Sequence, residues 1–189
     1  VDLVVVATPV GTLAPLVARL ARTLPPHAVI TDAGSVKASV VAAVEQVLGA
    51  TAGRFCGSHP IAGTELAGAG AAERDLLSGC RCILTPTATT TAATRRRVRA
   101  LWIAAGMRVE ALPATRHDHL YALVSHLPQA VATALVNAVV ADAPAGRALA
   151  YVGGGFRDTT RIAKSPAVMW RDILLANRAE VLAALDRFT

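Results

Sequence analysis

An α/β half followed by an all-α half is the fold class this sequence predicts, and three observations predict it. Over residues 1–112, short β-branched runs alternate with segments of helical period, a pattern that calls for a parallel sheet with helices on its faces. From Pro113 the strand signal vanishes and only helical periods remain. Finally, 189 residues that are 53% hydrophobic and 17% charged can bury sizeable cores without disulfides. A boundary near residue 112 therefore divides the chain into 1–112 and 113–189, with no repeat or low-complexity linker between them.

The elements follow in order. Residues 3–7 are an apolar, valine-rich strand, and 13–24 read as a helix with Leu13, Leu16, Val17 and Leu20 on one face. A second strand at 28–31 leads into a helix at 36–48. A third strand begins at 54–56, a fourth occupies 81–84, and a fifth occupies 107–111. Between the last two, Val98, Leu101, Trp102 and Ala105 form an apolar helical face, which leaves Arg95, Arg96, Arg97 and Arg99 largely in solvent. A long helix at 115–140 carries Leu120, Leu123, Val124, Leu127, Val131 and Leu135, with a kink expected at Pro128. One last helix is expected over 166–187, with Ser165 and Pro166 as N-cap and first residue.

Composition narrows the function classes. Low charge and high hydrophobicity exclude disorder. Mean hydropathy is +0.47, yet no apolar run approaches the ~20 residues of a spanning helix. Asp2 stands where a signal peptide would be basic. The formal charge is +6 and all but two of the 19 basic residues are arginine. Without a nucleic-acid motif, the arginine-rich helix reads as a solvated face and no nucleic-acid partner is expected. Cys56, Cys80 and Cys82 lack metal-finger spacing and fit a reduced, cytoplasmic protein.

Polar residues gather where parallel strands end, which is where open α/β sheets bind ligands. The first strand ends in Thr8-Pro9 and the second in Asp32-Ala33-Gly34-Ser35-Val36-Lys37. The third ends in Gly57-Ser58-His59-Pro60. Gly34 and Ser35 precede a helix, so Ser35 is either a plain N-cap or a ligand-facing hydroxyl. His59, flanked by Pro60 and the glycine-rich stretch Gly63-Thr64-Glu65 with Gly68 and Gly70, is an acid–base candidate on a strand-end loop. On the long helix, Asp118, Ser125 and Gln129 fall opposite the leucine stripe, flanked by His119 and His126. Zinc at His117, His119 and His126 lacks a supporting Cys or acidic ligand, so no metal is expected. A third group, Gly153-Gly154-Gly155 through Arg161 to Trp170, combines close-approach glycines with an arginine able to hold a carboxylate. Arg157 reads as paired within the chain, to Asp158 or Asp172. Together these groups suggest a dicarboxylic or phosphorylated small molecule held between the two halves.

In combination the segments 2–9, 32–37, 57–65 with Gly68, 124–128 and 153–170 resemble the prephenate and arogenate dehydrogenases of tyrosine biosynthesis, in the family's order. The resemblance implies that 1–112 is the later part of a Rossmann-type dinucleotide-binding domain and 113–189 a helical substrate and dimerisation domain, working as a homodimer. It implies an oxidative decarboxylation with hydride transfer to NAD or NADP. His59 would be the base on the C4 hydroxyl, with Ser35 on the same hydroxyl and on the nicotinamide. Thr8, Pro9, Gly34 and Thr64 would meet the cofactor. Arg161, His117, Gln129, Gly154, Trp170 and Glu65 would line the substrate.

Two departures stand beside the resemblance. The family's His-Leu-Pro-His reads His126-Leu127-Pro128-Gln129 here, which leaves open the choice between keto and amino substrates. The family's G-x-G-x-x-G loop would lie upstream of residue 3, so the chain is expected to start about halfway through its nucleotide-binding domain. Two other readings stay open: a fragment that folds and dimerises without binding cofactor, or a Rossmann β-hydroxyacid dehydrogenase using Lys164.

Overall fold

A computed structural model describes residues 1–63, 70, 72–142 and 147–189. Five strands, β1 (Leu3–Val6), β2 (Val29–Asp32), β3 (Phe55–Ile61), β4 (Arg81–Thr85) and β5 (Arg108–Ala111), lie side by side in chain order. β1, β2 and β3 are parallel, and so are β4 and β5. The β3–β4 pair is antiparallel, which corrects the expectation of a wholly parallel sheet. The reason is in the connection. A parallel return needs a crossover of a dozen or more residues, usually a helix, and residues 62–80 carry no helical period.

β3 also runs further than expected. His59 and Pro60 are strand residues paired with Ile83 and Cys82, so His59 sits on a rigid strand instead of a loop. β2 pairs with β3 only at Phe55 and Cys56, so Pro60, which has no N–H to give, costs that side of the ladder nothing.

The helices α1 (Leu13–Leu20) and α2 (Ala38–Leu48) cover one face of the sheet. There Leu13, Val17, Val40 and Val44 meet Val6, Ile30 and Phe55. The helix α3 (Ala92–Ala104) belongs to the second cluster, in which Val98 and Trp102 pack on Val29, Cys56, Cys82 and Leu84. As anticipated, Arg95, Arg96 and Arg99 of α3 are exposed. Arg97 instead ties the sheet's lower rim, donating to the carbonyls of His27 at 3.1 Å and Asp2 at 2.7 Å.

The helical half begins with α4 (Ala114–Tyr121), which widens into a π turn at Ala122–His126 and continues as α5 (Leu127–Asp142). The wide turn lets the helix pass Pro128, whose missing N–H would otherwise break the ladder; Val124, four residues back, is exposed. The helix buries polar residues as well as part of its leucine stripe, of which Leu123 and Leu127 pack in the helical core. Its buried side carries His117, Asp118, His126 and Gln129, while Val124 and Leu135 face outward. By length and composition the stretch Ala114–Ala141 is apolar enough to cross a bilayer, contrary to the expectation from apolar runs. On its buried side His117, Asp118 and His126 are bonded to other elements of the protein, as described below.

The chain then forms α6 (Gly154–Thr160), α7 (Ala167–Ala176) and α8 (Arg178–Phe188). The single last helix expected over 166–187 is thus two, broken at Asn177. That residue is buried and donates its amide to the carbonyl of Asp118 at 2.8 Å, with His126 Nδ1 at 3.1 Å. Pro166, not Ser165, is the N-cap residue of α7, and no side chain caps it.

Candidate active site

The carboxyl end of β2 is tied to β3 by one buried cation. Lys37 is completely enclosed, and its ammonium bonds the carboxylate of Asp32 and the carbonyl of Ser58 at 2.9 Å. Asp32 in turn accepts the backbone N–H groups of Gly34 at 2.9 Å and Ser58 at 3.0 Å. A buried ion pair survives only when its remaining hydrogen-bonding capacity is filled, and here it largely is. Gly34 must be glycine: a Cβ would stand 2.8 Å from Asp32 Oδ2 and 3.2 Å from Leu13 Cδ1. The turn this creates delays α2 until Ala38, and leaves Ser35 half-buried without capping the helix.

Above this platform lies a cavity of about 870 Å³ whose walls include Thr8, Pro9, Gly34, Ser35, His59 and Trp170. The sheet supplies the first five of these and α7 the last, so the cavity sits between the two halves of the chain. Tyr121 and Ser125 complete the helical wall. A smaller pocket of about 330 Å³ adjoins it, sharing Ser125 and Trp170, and is lined by Gln129 and Arg161. The structure thus brings Thr8, Pro9, Gly34, Ser35, His59, Gln129, Arg161 and Trp170 to one cleft. Among the described residues, Gln129 Oε1, Trp170 Nε1 and His126 Nε2 are buried without a hydrogen-bond partner. Buried polar atoms are seldom left so, and two of these three belong to residues lining the smaller pocket.

Two expected residues fail to reach the cleft. His117, expected against the substrate, is wholly buried behind His59 and lines neither cavity. Gly154 starts α6 and lines neither; a Cβ at Gly153, Gly154 or Gly155 would meet nothing within 4 Å, so no close approach requires these glycines. Asp172 pairs with Arg171 at 2.7 Å instead of Arg157. Thr64, Glu65 and Gly68 lie outside the described residues.

His59 is nearly enclosed, and burial is the chief cause holding its imidazole well below its ordinary pKa; the neighbouring His117, Lys37 and His126 add to the effect. It is therefore neutral at pH 7 and able to accept a proton. His59 Nδ1 lies 2.8 Å from His117 Nε2, and His117 Nδ1 lies 2.8 Å from Asp118 Oδ1. Tyr121 stacks on His117 at 4.4 Å and tilts against His59 at 4.8 Å. Sequence reasoning placed Lys37 in the strand-end group without giving it a role, and missed Tyr121. Lys37, one of two lysines and set between Val36 and Ala38, carried a signal; Tyr121 carried none. His119, the third member of the rejected zinc set, points elsewhere and meets Glu180 of α8 at 2.8 Å.

A single sheet covered by helices, with a cleft at its parallel strand ends closed by a helical half, defines an α/β protein of the dinucleotide-binding type. Comparison with known proteins makes the class specific. Residues 1–111 match the family model of the prephenate dehydrogenase nucleotide-binding domain, and residues 113–189 match that of its dimerization domain. This chain belongs to the prephenate dehydrogenase family. It is 36% identical to the cyclohexadienyl dehydrogenase of Zymomonas mobilis, across 99% of this chain and 64% of that protein. Among solved structures it is similar to the prephenate dehydrogenase of A. aeolicus in complex with hydroxyphenyl propionate and NAD+. That match has a TM-score of 0.92 and 41% identity, covering 99% of this chain and 65% of the other. An arogenate dehydrogenase from Synechocystis matches with a TM-score of 0.81 and 29% identity, over 99% of this chain and 67% of that one. The chain thus spans about two thirds of the length of these relatives.

Proposed function

We propose that the protein carrying this chain oxidises and decarboxylates prephenate or its amino counterpart arogenate, using NAD+ or NADP+, and that this chain supplies the base and the substrate wall. The observation that carries the reading is His59: a neutral imidazole on a rigid strand, in the wall of a cleft between the sheet and the helical half. Family membership and the ligands in the A. aeolicus relative support it. Thr8, Pro9, Gly34 and Ser35 fit the nicotinamide end of such a cofactor, because they converge at the carboxyl ends of adjacent parallel strands and Gly34 leaves no side chain in the way. When bound, the nicotinamide supplies the hydride acceptor.

The chain's own residues do the rest. His59 takes the proton of the C4 hydroxyl as the hydride leaves C4, and Ser35 holds that hydroxyl in line. Arg161, in the adjoining pocket, holds a substrate carboxylate, while Gln129 and Trp170 shape the space around the side chain. Loss of the ring carboxylate as carbon dioxide makes the ring aromatic, so the site needs to orient and deprotonate more than to activate. Residues 1–112 and 113–189 act as separate domains in this reading. In this reading Thr64 serves the cofactor and Glu65 the substrate. Exposed Val124, Val140, Leu175 and Phe188 support pairing of two copies through the helical half, in the cytoplasm.

The test is an assay of the full-length protein with prephenate and arogenate, each with NAD+ and NADP+. Turnover on one of them, lost in His59→Ala by about 100-fold or more, is expected. No turnover on either substrate, or full turnover in His59→Ala, overturns the proposal.

A further inference from the structure

His59 is joined to two residues that never reach the cleft, and their hydrogen bonds determine which of its nitrogens is free. Asp118 is an acceptor on every side. Its Oδ1 receives the backbone N–H of Lys37 at 2.8 Å, and its Oδ2 that of Ala38 at 2.7 Å. Both donors are fixed N–H groups at the start of α2, so the carboxylate is held in its accepting form. His117 Nδ1, at 2.8 Å from the same Oδ1, must therefore carry the proton of that contact. His117 is neutral at pH 7, mainly because burial lowers its pKa, so its Nε2 is bare. The 2.8 Å contact from His59 Nδ1 to this bare nitrogen then requires the hydrogen to sit on His59 Nδ1. What remains is His59 Nε2, an unprotonated nitrogen on a ring in the cavity wall. Stacking of His117 on Tyr121, 21° from coplanar, fixes the ring that does this selecting.

We propose that His117 and Asp118 are positioning residues that set the tautomer of His59, presenting Nε2 as the base and keeping Nδ1 as a donor throughout the reaction. This deepens the reading above and rests on His59 being the base. When Nε2 takes the substrate hydroxyl proton, His59 becomes an imidazolium that still donates through Nδ1 to His117. The charge faces the Asp118 carboxylate through one neutral ring, and no second proton moves. Loss of carbon dioxide leaves its electron pair as a phenolate on that oxygen, and Nε2 returns the proton there, so the product leaves as the phenol and His59 is neutral again. The arrangement follows the logic of a base oriented by a third group, with histidine in the middle position.

Two readouts test it in the full-length protein. Nitrogen-15 NMR of the ring nitrogens is expected to show His59 of the free protein as the Nδ1–H tautomer at pH 7.5, and as a mixture in His117→Phe, which keeps a ring against Tyr121. In that variant kcat is expected to fall about 100-fold while KM changes less than about threefold. A merely structural role would leave the tautomer untouched. A wild-type His59 protonated on Nε2, or a tautomer and kcat unchanged in His117→Phe, overturns the proposal. If His117→Phe does not fold, the wild-type tautomer alone decides. The spectrum is independent of turnover: full activity in His59→Ala would remove the base reading and leave the tautomer measurement standing.

Discussion

Asp118 closes the N-terminus of α2 from another part of the chain: its carboxylate accepts the backbone N–H of Lys37 at 2.8 Å across 81 positions of sequence. The adjacent Ala38 N–H is bound by the other carboxylate oxygen. Helices are ordinarily capped by a residue just before their first turn, but here that position holds Lys37 itself, whose side chain is committed to Asp32 and Ser58. One carboxylate thus stitches the helical half to the sheet and anchors the hydrogen bonds that reach His59.

That cap predicts a large stability effect. Asp118→Ala leaves two helix N–H groups and His117 Nδ1 without their buried acceptor, and the expected cost is about 2–4 kcal/mol. Urea unfolding followed by circular dichroism measures it. A change below about 0.5 kcal/mol, the level of ordinary surface substitutions, would contradict the assignment.

Stability is also expected to fall with acid in a window set by buried histidines. Burial lowers His126 from 6.5 to about 4, and it lowers His117 and His59 in the same direction. Between the folded and unfolded values the unfolded chain binds more protons, so stability rises with pH there and is complete above about 6.5. His126 alone accounts for about 2 kcal/mol lost on going from pH 7.5 to pH 5. Equal urea midpoints at those two pH values would refute this.

Thiol reactivity separates the three cysteines. Burial raises the Cys56 and Cys82 thiols to about 12, while Cys80 is only half-buried, its Sγ 3.4 Å from the carbonyl of Leu76. Because the thiolate is the reactive form, a maleimide or aromatic disulfide at pH 7.5 is expected to label one thiol in the native protein, Cys80, and three after denaturation. Rapid labelling of Cys56 or Cys82 in the folded state would show that the α3 side of the sheet is less closed than described.

Much of the site could be read before any coordinates, for a physical reason. Thr8, Pro9, Gly34 and Ser35 follow β-branched runs, and the ends of parallel strands converge in space whatever the details of packing; His59 was legible by residue type, though it lies within β3. Helical periodicity likewise located α1 and α2 to within a few residues. The errors fall where a choice depends on a neighbour distant in sequence. β4 reverses because the sequence between β3 and β4 has no helical period for a crossover. The long helix turns its histidines inward, since Asp118, His117 and Asn177 can satisfy one another and the end of α2. The final helix breaks at Asn177, where a buried amide finds two partners.

By itself the sequence determined the alternation of strands and helices, the two halves, and the identity of the groups able to do chemistry. Those follow from local pattern and residue type. Only the tertiary structure decided that Lys37 is a buried clamp, that His117 stands behind His59 and not against a ligand, and that Asp118 serves both as helix cap and as the end of that chain of bonds. Each of these is a contact between residues far apart in sequence. Their hydrogen-bonding needs have no local solution and are met where packing brings them together.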